Sequence, residues 1–102
     1  MAIKQTKYFW TQAQADGTTR VGLTAEAQDE LGRVKFVDLP NLDGKLAQGD
    51  TLLAVEAEKA VLDLESPLAG TIKAVHQAIV DDPELMNSTD RDKNWIADIS
   101  VD

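Results

Sequence analysis

Lys59 stands within Leu52-Leu53-Ala54-Val55-Glu56-Ala57-Glu58-Lys59-Ala60-Val61-Leu62-Asp63-Leu64. Apolar, strand-like residues lie on both sides of a short acidic stretch, and the lysine falls where the two runs meet. That spacing predicts a β-hairpin with Lys59 at its tip. A primary amine held there projects from a rigid scaffold into water. Another enzyme can reach it, acylate it and leave it as the root of a swinging group. Glu56 and Glu58 are placed to guide such an enzyme through its basic residues. The plain alternative is an exposed lysine at a turn, since the chain has seven lysines and loops carry filler as well as function.

The other reactive side chains form no recognisable set. His76 is the sole histidine and there is no cysteine, so no histidine cluster, thiolate metal site or thiol nucleophile exists. No serine or cysteine neighbours His76 in a way that suggests a triad, and a structural or solvent-exposed role fits it better. Asp81-Asp82 and Asp90-Arg91-Asp92 do not match the spacing of a calcium loop, and they read better as helix start and loop. Trp10 and Trp95 could line a ligand pocket, but aromatics in strands are usually core. No metal site and no catalytic residue is expected. Any chemistry must come from an attached group.

Composition narrows the partners. The 102 residues suit one domain spanning the chain, which buries roughly 60–70% of its unfolded surface without staples. Ten Lys and Arg against eighteen Asp and Glu give a net charge of −8. Such an acidic chain repels a phosphate backbone, which argues against nucleic acid. It favours encounters with basic protein surfaces. No apolar run is long enough for a membrane span, and no signal peptide is expected at the N-terminus. The lack of cysteine is compatible with a reducing cytosol, so a cytoplasmic monomer is expected.

The surrounding elements must hold Lys59 in place. Lys7–Gln12 reads as a strand, Asp16-Gly17 as a turn and Thr18–Leu23 as the returning strand. Thr24 is a good N-cap for a helix over Ala25–Leu31, with Gly32 at the C-cap position. Arg33–Leu39 alternates charged and apolar residues, as a strand with one wet face does, and Pro40 ends it. Asn41-Leu42-Asp43-Gly44 and Gln48-Gly49-Asp50 read as turns. After the Lys59 hairpin, Ser66-Pro67 breaks the strand and Gly70 turns the chain into Thr71–Val75. Asp82 as N-cap and Pro83 at the first position predict a second short helix through Asn87. Asn94–Val101 is a terminal strand. Many short strands with regular turns predict a mainly β fold, a sandwich or flattened antiparallel β-barrel with two short helices. The expected core is Leu23, Leu31, Phe36, Val37, Leu53, Val55, Leu62, Leu64, Ile72, Val75, Leu85, Trp95 and Ile96.

Two function classes remain open on the residues alone: a carrier modified on Lys59, or an unmodified β-domain that binds a partner protein. The chain resembles the H protein of the glycine cleavage system over almost its whole length. Val21-Gly22-Leu23-Thr24 with Ala27-Gln28-Asp29-Glu30-Leu31-Gly32 is similar to that family's Gly-Ile-Thr…Ala-Gln-x-x-Leu-Gly stretch. Phe36–Pro40 resembles its next strand, and Glu56-Ala57-Glu58-Lys59-Ala60 its Glu-Ser-x-Lys-Ala lipoylation motif. Pro67-Leu68-Ala69-Gly70 and Pro83-Glu84-Leu85-Met86-Asn87 match its Pro-x-x-Gly and Pro-Glu-Leu-x-Asn. The resemblance implies the hammerhead fold of biotinyl and lipoyl domains. It implies lipoate in amide linkage on Lys59, attached by a lipoate-protein ligase. A biotin carrier would have methionines flanking the lysine, where this chain has Glu58 and Ala60.

Some segments depart from the family. Tyr8-Phe9-Trp10 stands in place of His-Glu-Trp, and Asp90–Trp95 in place of Pro-Tyr-Gly-x-Gly-Trp. His76 stands where asparagine is common, and no C-terminal helix is expected after Asp102. These departures resemble a shorter branch of H-like carriers, associated with a lipoate ligase, a macrodomain protein and a sirtuin in an oxidative-stress setting. That likeness implies shuttling of reducing equivalents or another thiol-borne group, and ADP-ribosylation on Asp29, an ordinary helix aspartate on the other view. It also implies little exchange with glycine cleavage enzymes. The alternative within the family is a true glycine cleavage H protein that carries the aminomethyl group.

Overall fold

The structure, a computed structural model, describes residues 3–39 and 44–102. Its strands are β1 (Ile3–Gln5), β2 (Phe9–Ala13), β3 (Thr19–Leu23), β4 (Val34–Asp38), β5 (Gly44–Leu46), β6 (Thr51–Ala57), β7 (Val61–Glu65), β8 (Gly70–Val75) and β9 (Trp95–Val101). Helix α1 covers Ala25–Leu31, α2 Ala78–Asp81 and α3 Arg91–Asn94, and a 3-10 helix covers Pro83–Asn87.

Two antiparallel sheets form. The larger has the order β1-β2-β3-β9-β8-β5 and the smaller β4-β6-β7. Val21, Leu23, Ile72, Ile96 and Ile99 of the large sheet and Val37, Leu53, Val55 and Leu64 of the small one are buried in one hydrophobic cluster. This is the expected mainly β sandwich. It is not a closed barrel: β4 and β7 are the edges of their own sheet and pair with no strand of the other among the described residues.

Local signals account for the first half. Asp16 Oδ1 accepts hydrogen bonds from the N–H and hydroxyl of Thr18 at 2.9 and 2.6 Å. The turn that results joins β2 to β3 in the expected hairpin. Thr24 caps α1 by accepting from the Ala27 N–H at 3.1 Å, while its hydroxyl donates to the Lys7 carbonyl at 2.7 Å. Ala27 and Leu31 are the buried face of α1.

The second half differs in detail from the expectation. The predicted helix at Pro83–Asn87 is a 3-10 turn, and the Asp82 side chain does not cap it. Asp82 instead closes α2, its N–H donating to the Ala78 carbonyl at 2.8 Å. Asp90-Arg91-Asp92, expected as loop, instead starts a helix, with Asp90 accepting from the Asp92 N–H at 2.9 Å. Helices α2 and α3, of four residues each, are far below the length at which a helix nucleates alone, and α2 has no capping side chain either. Gly70 does not turn the chain but opens β8. The turn expected at Asn41–Gly44 lies outside the described residues except for Gly44, which begins β5.

Five residues expected in the core are placed otherwise. Phe36 is 63% exposed. A register shift between Val34 and Phe36 inserts an extra residue in β4, so Lys35 and Phe36 both face out and Val37 returns to the core. Leu62 is 37% exposed because it opens into a cleft beside Tyr8 and Phe9. Val75 and Leu85 are half-buried against the core edge. Trp95 is half-buried in a stack: the Arg20 guanidinium lies 4.0 Å from one ring face and the His76 ring is parallel to it at 4.4 Å. Asp98, nearly buried, grips Arg20 with two bonds of 2.8 and 3.0 Å and raises its already high pKa.

Trp10, like Phe9, is buried at 3% exposure. Its indole N–H donates to Asn94 Oδ1 at 2.9 Å, and its ring lies flat on Gly22 of β3. A Cβ on Gly22 would sit 2.2 Å from that ring, with β2 and β9 pairing on either side of β3 to prevent escape. Gly22→Ala is therefore expected to lower stability by about 2–3 kcal/mol through overpacking. Urea unfolding followed by circular dichroism would measure it.

Candidate functional site

Strands β6 and β7 form the hairpin expected from the sequence, with Glu58-Lys59-Ala60 at its tip and the register Val55↔Leu62, Glu56↔Val61 leading into it. The tip is not free. The Ala57 N–H donates to the Ala60 carbonyl at 2.9 Å and closes the turn. The Lys59 N–H donates to the Leu31 carbonyl at 2.9 Å, and the Glu58 N–H to the Arg33 carbonyl at 3.0 Å. The hairpin tip is thus tied by its backbone to the corner between α1 and β4.

Gly32 makes that corner. At φ 73° it lies in the left-handed region that glycine tolerates, and its N–H donates to the Gln28 carbonyl at 2.9 Å to finish α1. A Cβ here would sit 3.3 Å from both Glu58 Cβ and Lys59 Cγ. The bare backbone of Gly32 is what lets the lysine stem cross the end of the helix. The side chain of Lys59 is exposed, and Nζ donates to the Asp29 carbonyl at 3.1 Å.

The 3-10 turn braces this corner from below. Gln28 Nε2 donates to the carbonyls of Met86 and Ser88 at 2.8 and 2.6 Å. Asn87 takes the place of a missing strand beside β4. Its Oδ1 accepts from the Val34 N–H at 2.8 Å, and its Nδ2 donates to the Val34 carbonyl at 3.3 Å. Arg33 and Glu84 form an ion pair over the same edge. Gln28 and Asn87 stand inside recognisable motifs, but nothing local in the sequence assigns either of them this role.

The other expected site residues surround the lysine at different ranges. Glu56 is exposed on the outer face of the small sheet, and Glu58 is exposed at the tip itself. Asp29 is exposed on α1, and its backbone, not its carboxylate, is what meets the Lys59 amine. It lines a shallow hollow with Gln28, Gly32, Arg33, Glu84 and Asn87.

A larger open cleft of about 560 Å³ lies beside β7. Tyr8, Phe9, Leu62, Leu64 and Pro67 supply its apolar walls and Asp63 and Glu65 some of its polar ones. Leu62 is three residues past Lys59 on the same hairpin, roughly 10 Å at strand rise. Lys7 stands at the rim, 3.3 Å from Glu30 of α1, which holds its ammonium above the usual lysine range by hydrogen bond and charge. No group of acidic and histidine side chains among the described residues could hold a metal. No helix among them is long and apolar enough to cross a membrane.

A β-sandwich that presents one lysine on a braced hairpin tip, next to an apolar cleft, has the makings of a carrier domain. The model of the glycine cleavage H-protein family matches residues 2–102. The glycine cleavage system H protein of Citrobacter koseri is 43% identical over 95 residues, covering 93% of this chain and 74% of its own. That of Aliivibrio fischeri is 38% identical over 96 residues, covering 94% and 76%. The crystal structure of a glycine cleavage system H protein from Mycobacterium marinum superposes with a TM-score of 0.82 at 31% identity, over 97% of this chain and 82% of that one. The chain belongs to the glycine cleavage H-protein family, whose members are lipoyl carriers and not themselves enzymes. They carry lipoate covalently on a lysine. The similarity favours a glycine cleavage H protein over the shorter branch expected from the departures at Tyr8-Phe9 and Asp90–Trp95.

Gly32→Ala tests the corner. Strain at positive φ and crowding of the lysine stem are expected to cost about 1–2 kcal/mol. Amide hydrogen exchange at Glu58 and Lys59 should speed up with it, because their acceptors sit on either side of Gly32. Unchanged exchange at those two amides would show that the tip does not depend on the corner.

Proposed function

We propose that Lys59 is the lipoate attachment site and that residues 1–102 work as one carrier unit of glycine cleavage. The observation that carries this reading is a primary amine left exposed while its own backbone N–H is fixed to Leu31 at 2.9 Å. A carried group needs that combination: a root that does not move and a stem that does. The residues fit the group. The stem passes over bare Gly32, and the weak tether from Nζ to the Asp29 carbonyl is easily exchanged for water.

Attachment requires an activated lipoyl donor, the mixed anhydride that a lipoate-protein ligase makes from lipoate and ATP. The uncharged Lys59 nitrogen attacks the acyl carbon. A C–N bond forms, the C–O bond to AMP breaks, and the nitrogen's surplus proton passes to a base. Glu56 and Glu58 guide the ligase's basic residues without touching the reacting atoms. Once attached, lipoate supplies the dithiolane that no residue of this cysteine-free chain can replace. The chain's own contribution is to anchor the arm, keep it clear of the core and offer the apolar walls of the β7 cleft within its reach. That cleft supports the glycine cleavage role, because a loaded arm needs shelter from water.

Asp29 supports a second reading beside the first. An exposed carboxylate one backbone carbonyl away from the arm's root suits ADP-ribosylation that follows lipoylation. The hollow that Asp29 shares with Gln28, Gly32 and Asn87 leaves space beside that carboxylate. A sirtuin would write this mark, and a macrodomain protein would bind or remove it. A bare interaction module leaves the exposed amine without a purpose.

Incubation with lipoate ligase, lipoate and ATP should add one lipoyl group by intact mass, mapped to Lys59. Lys59→Arg should fold as the parent, within about 0.5 kcal/mol, and take up nothing. Uptake by that variant would sink the assignment. The lipoylated protein should then support glycine–bicarbonate exchange with glycine decarboxylase, and failure there would return the shorter-branch role to the front. For Asp29, a sirtuin with NAD should label lipoylated protein and spare both the unlipoylated form and Asp29→Ala. Equal labelling of Asp29→Ala would move the acceptor to Glu26 or Glu30.

A further inference from the structure

The outward face of the small sheet carries a row of side chains that neither the arm nor the core uses. Strand register aligns Phe36 of β4 with Glu56 of β6, and Glu56 with Val61 of β7. Phe36 is 63% exposed and Val61 73%. Three of the four large hydrophobics that stand exposed among the described residues are Phe36, Val61 and Leu62, all on the sheet that carries Lys59. The next row on the same face is Asp38, Ala54 and Asp63, with both acids exposed. Two apolar side chains therefore straddle one carboxylate, with further carboxylates at the border. Exposed apolar surface with a polar rim marks a place where another molecule sits. Phe36 is here by construction: without the β4 bulge, alternation from buried Val34 would turn it inward.

We propose that Phe36, Glu56 and Val61 form the docking surface for the enzyme that acylates Lys59, and that this enzyme meets them with an apolar contact bordered by basic side chains. The proposal rests on Lys59 being the attachment site. Two arguments select this occupant. The acylating enzyme must bring its reaction centre to Nζ itself, so it has to close over the tip. Glu56 lies three residues before Lys59 and Val61 two residues after it, so an enzyme over the tip has this row beneath it. Partners that act later on a loaded arm meet its far end, and have no need of this face. The second argument is charge. Asp38, Glu56, Glu58 and Asp63 outnumber Lys35 among the exposed charges around the apolar pair, so a basic border on the partner is complementary. The apolar pair would supply desolvated contact area, and the acids register and encounter rate.

The test measures ligase kinetics on the unlipoylated full chain, with lipoate and ATP, by intact mass at several carrier concentrations. The double variant Phe36→Ser, Val61→Thr should raise KM for the carrier at least tenfold and leave kcat within twofold. Glu56→Lys should act in the same direction, and added salt should raise the parent's KM. Circular dichroism melting keeps folding separate, and Phe36→Gln alone repeats the measurement should the double variant melt early. An unchanged KM in the folded variants, with the parent still acylated on Lys59, overturns the docking surface and leaves the attachment site standing. A defect confined to glycine–bicarbonate exchange overturns it too, since the face would then belong to a later partner. A parent that takes up no lipoate, or takes it elsewhere than Lys59, ends both readings.

Discussion

The structure turns on the join between the hairpin tip and the α1–β4 corner. Two backbone hydrogen bonds, from Lys59 to Leu31 and from Glu58 to Arg33, make that join, with Gly32 between the two acceptors. A two-stranded ribbon on its own is marginal in water and its turn would wander. Fixed at the corner, the turn becomes a stationary platform. The corner is stationary in its turn because Leu31 and Val34, on either side of it, are buried. Freedom begins only at the lysine side chain, which is where a carrier needs it.

The same logic explains the polar residues packed beneath. A helix end and a strand edge meet at the corner, and both leave backbone groups without partners. Gln28 satisfies the carbonyls of Met86 in the 3-10 turn and of Ser88 just past it, and Asn87 satisfies the N–H and carbonyl of Val34. Each amide does the work of a missing strand. The short segment Pro83–Asn87, which looks peripheral in the chain, is a brace for the site at Lys59. A buried apolar residue, Met86, pins that brace to the core.

Much of this was legible in the residues, and the part that was not has a common cause. The Lys59 hairpin, the first hairpin and α1 with its Thr24 cap are announced by local signals: alternation, turn residues and a cap. The misplacement of Phe36 and Leu62 arose because a bulge and an open cleft are properties of two elements together. Trp95 read as core because its strand is apolar, yet it is sandwiched between Arg20 and His76 from other strands and loops. The closeness of Asp29 to the lysine amine is tertiary in the same way: the two lie thirty residues apart in sequence. Glu56 and Glu58 lie on the surface, but Phe36, one of the two apolar neighbours that give Glu56 its setting, is expected in the interior from its alternation alone.

Strand β9 lies between β3 and β8 in the large sheet, and its Asp98 holds Arg20 across 78 residues of chain. On a ribosome, the N-terminal strands must therefore wait for a partner that is made long after them. The hairpin that displays Lys59 waits less, because β6 and β7 are neighbours in sequence and α1 and β4 precede them, and only its brace at Pro83–Asn87 is made later. Local pairs close quickly and distant ones slowly. The pairing of the strands that a modifying enzyme must read can thus form before the sheet behind them is complete, and it becomes fixed once that sheet and the brace are in place. The order of synthesis puts display first and consolidation last.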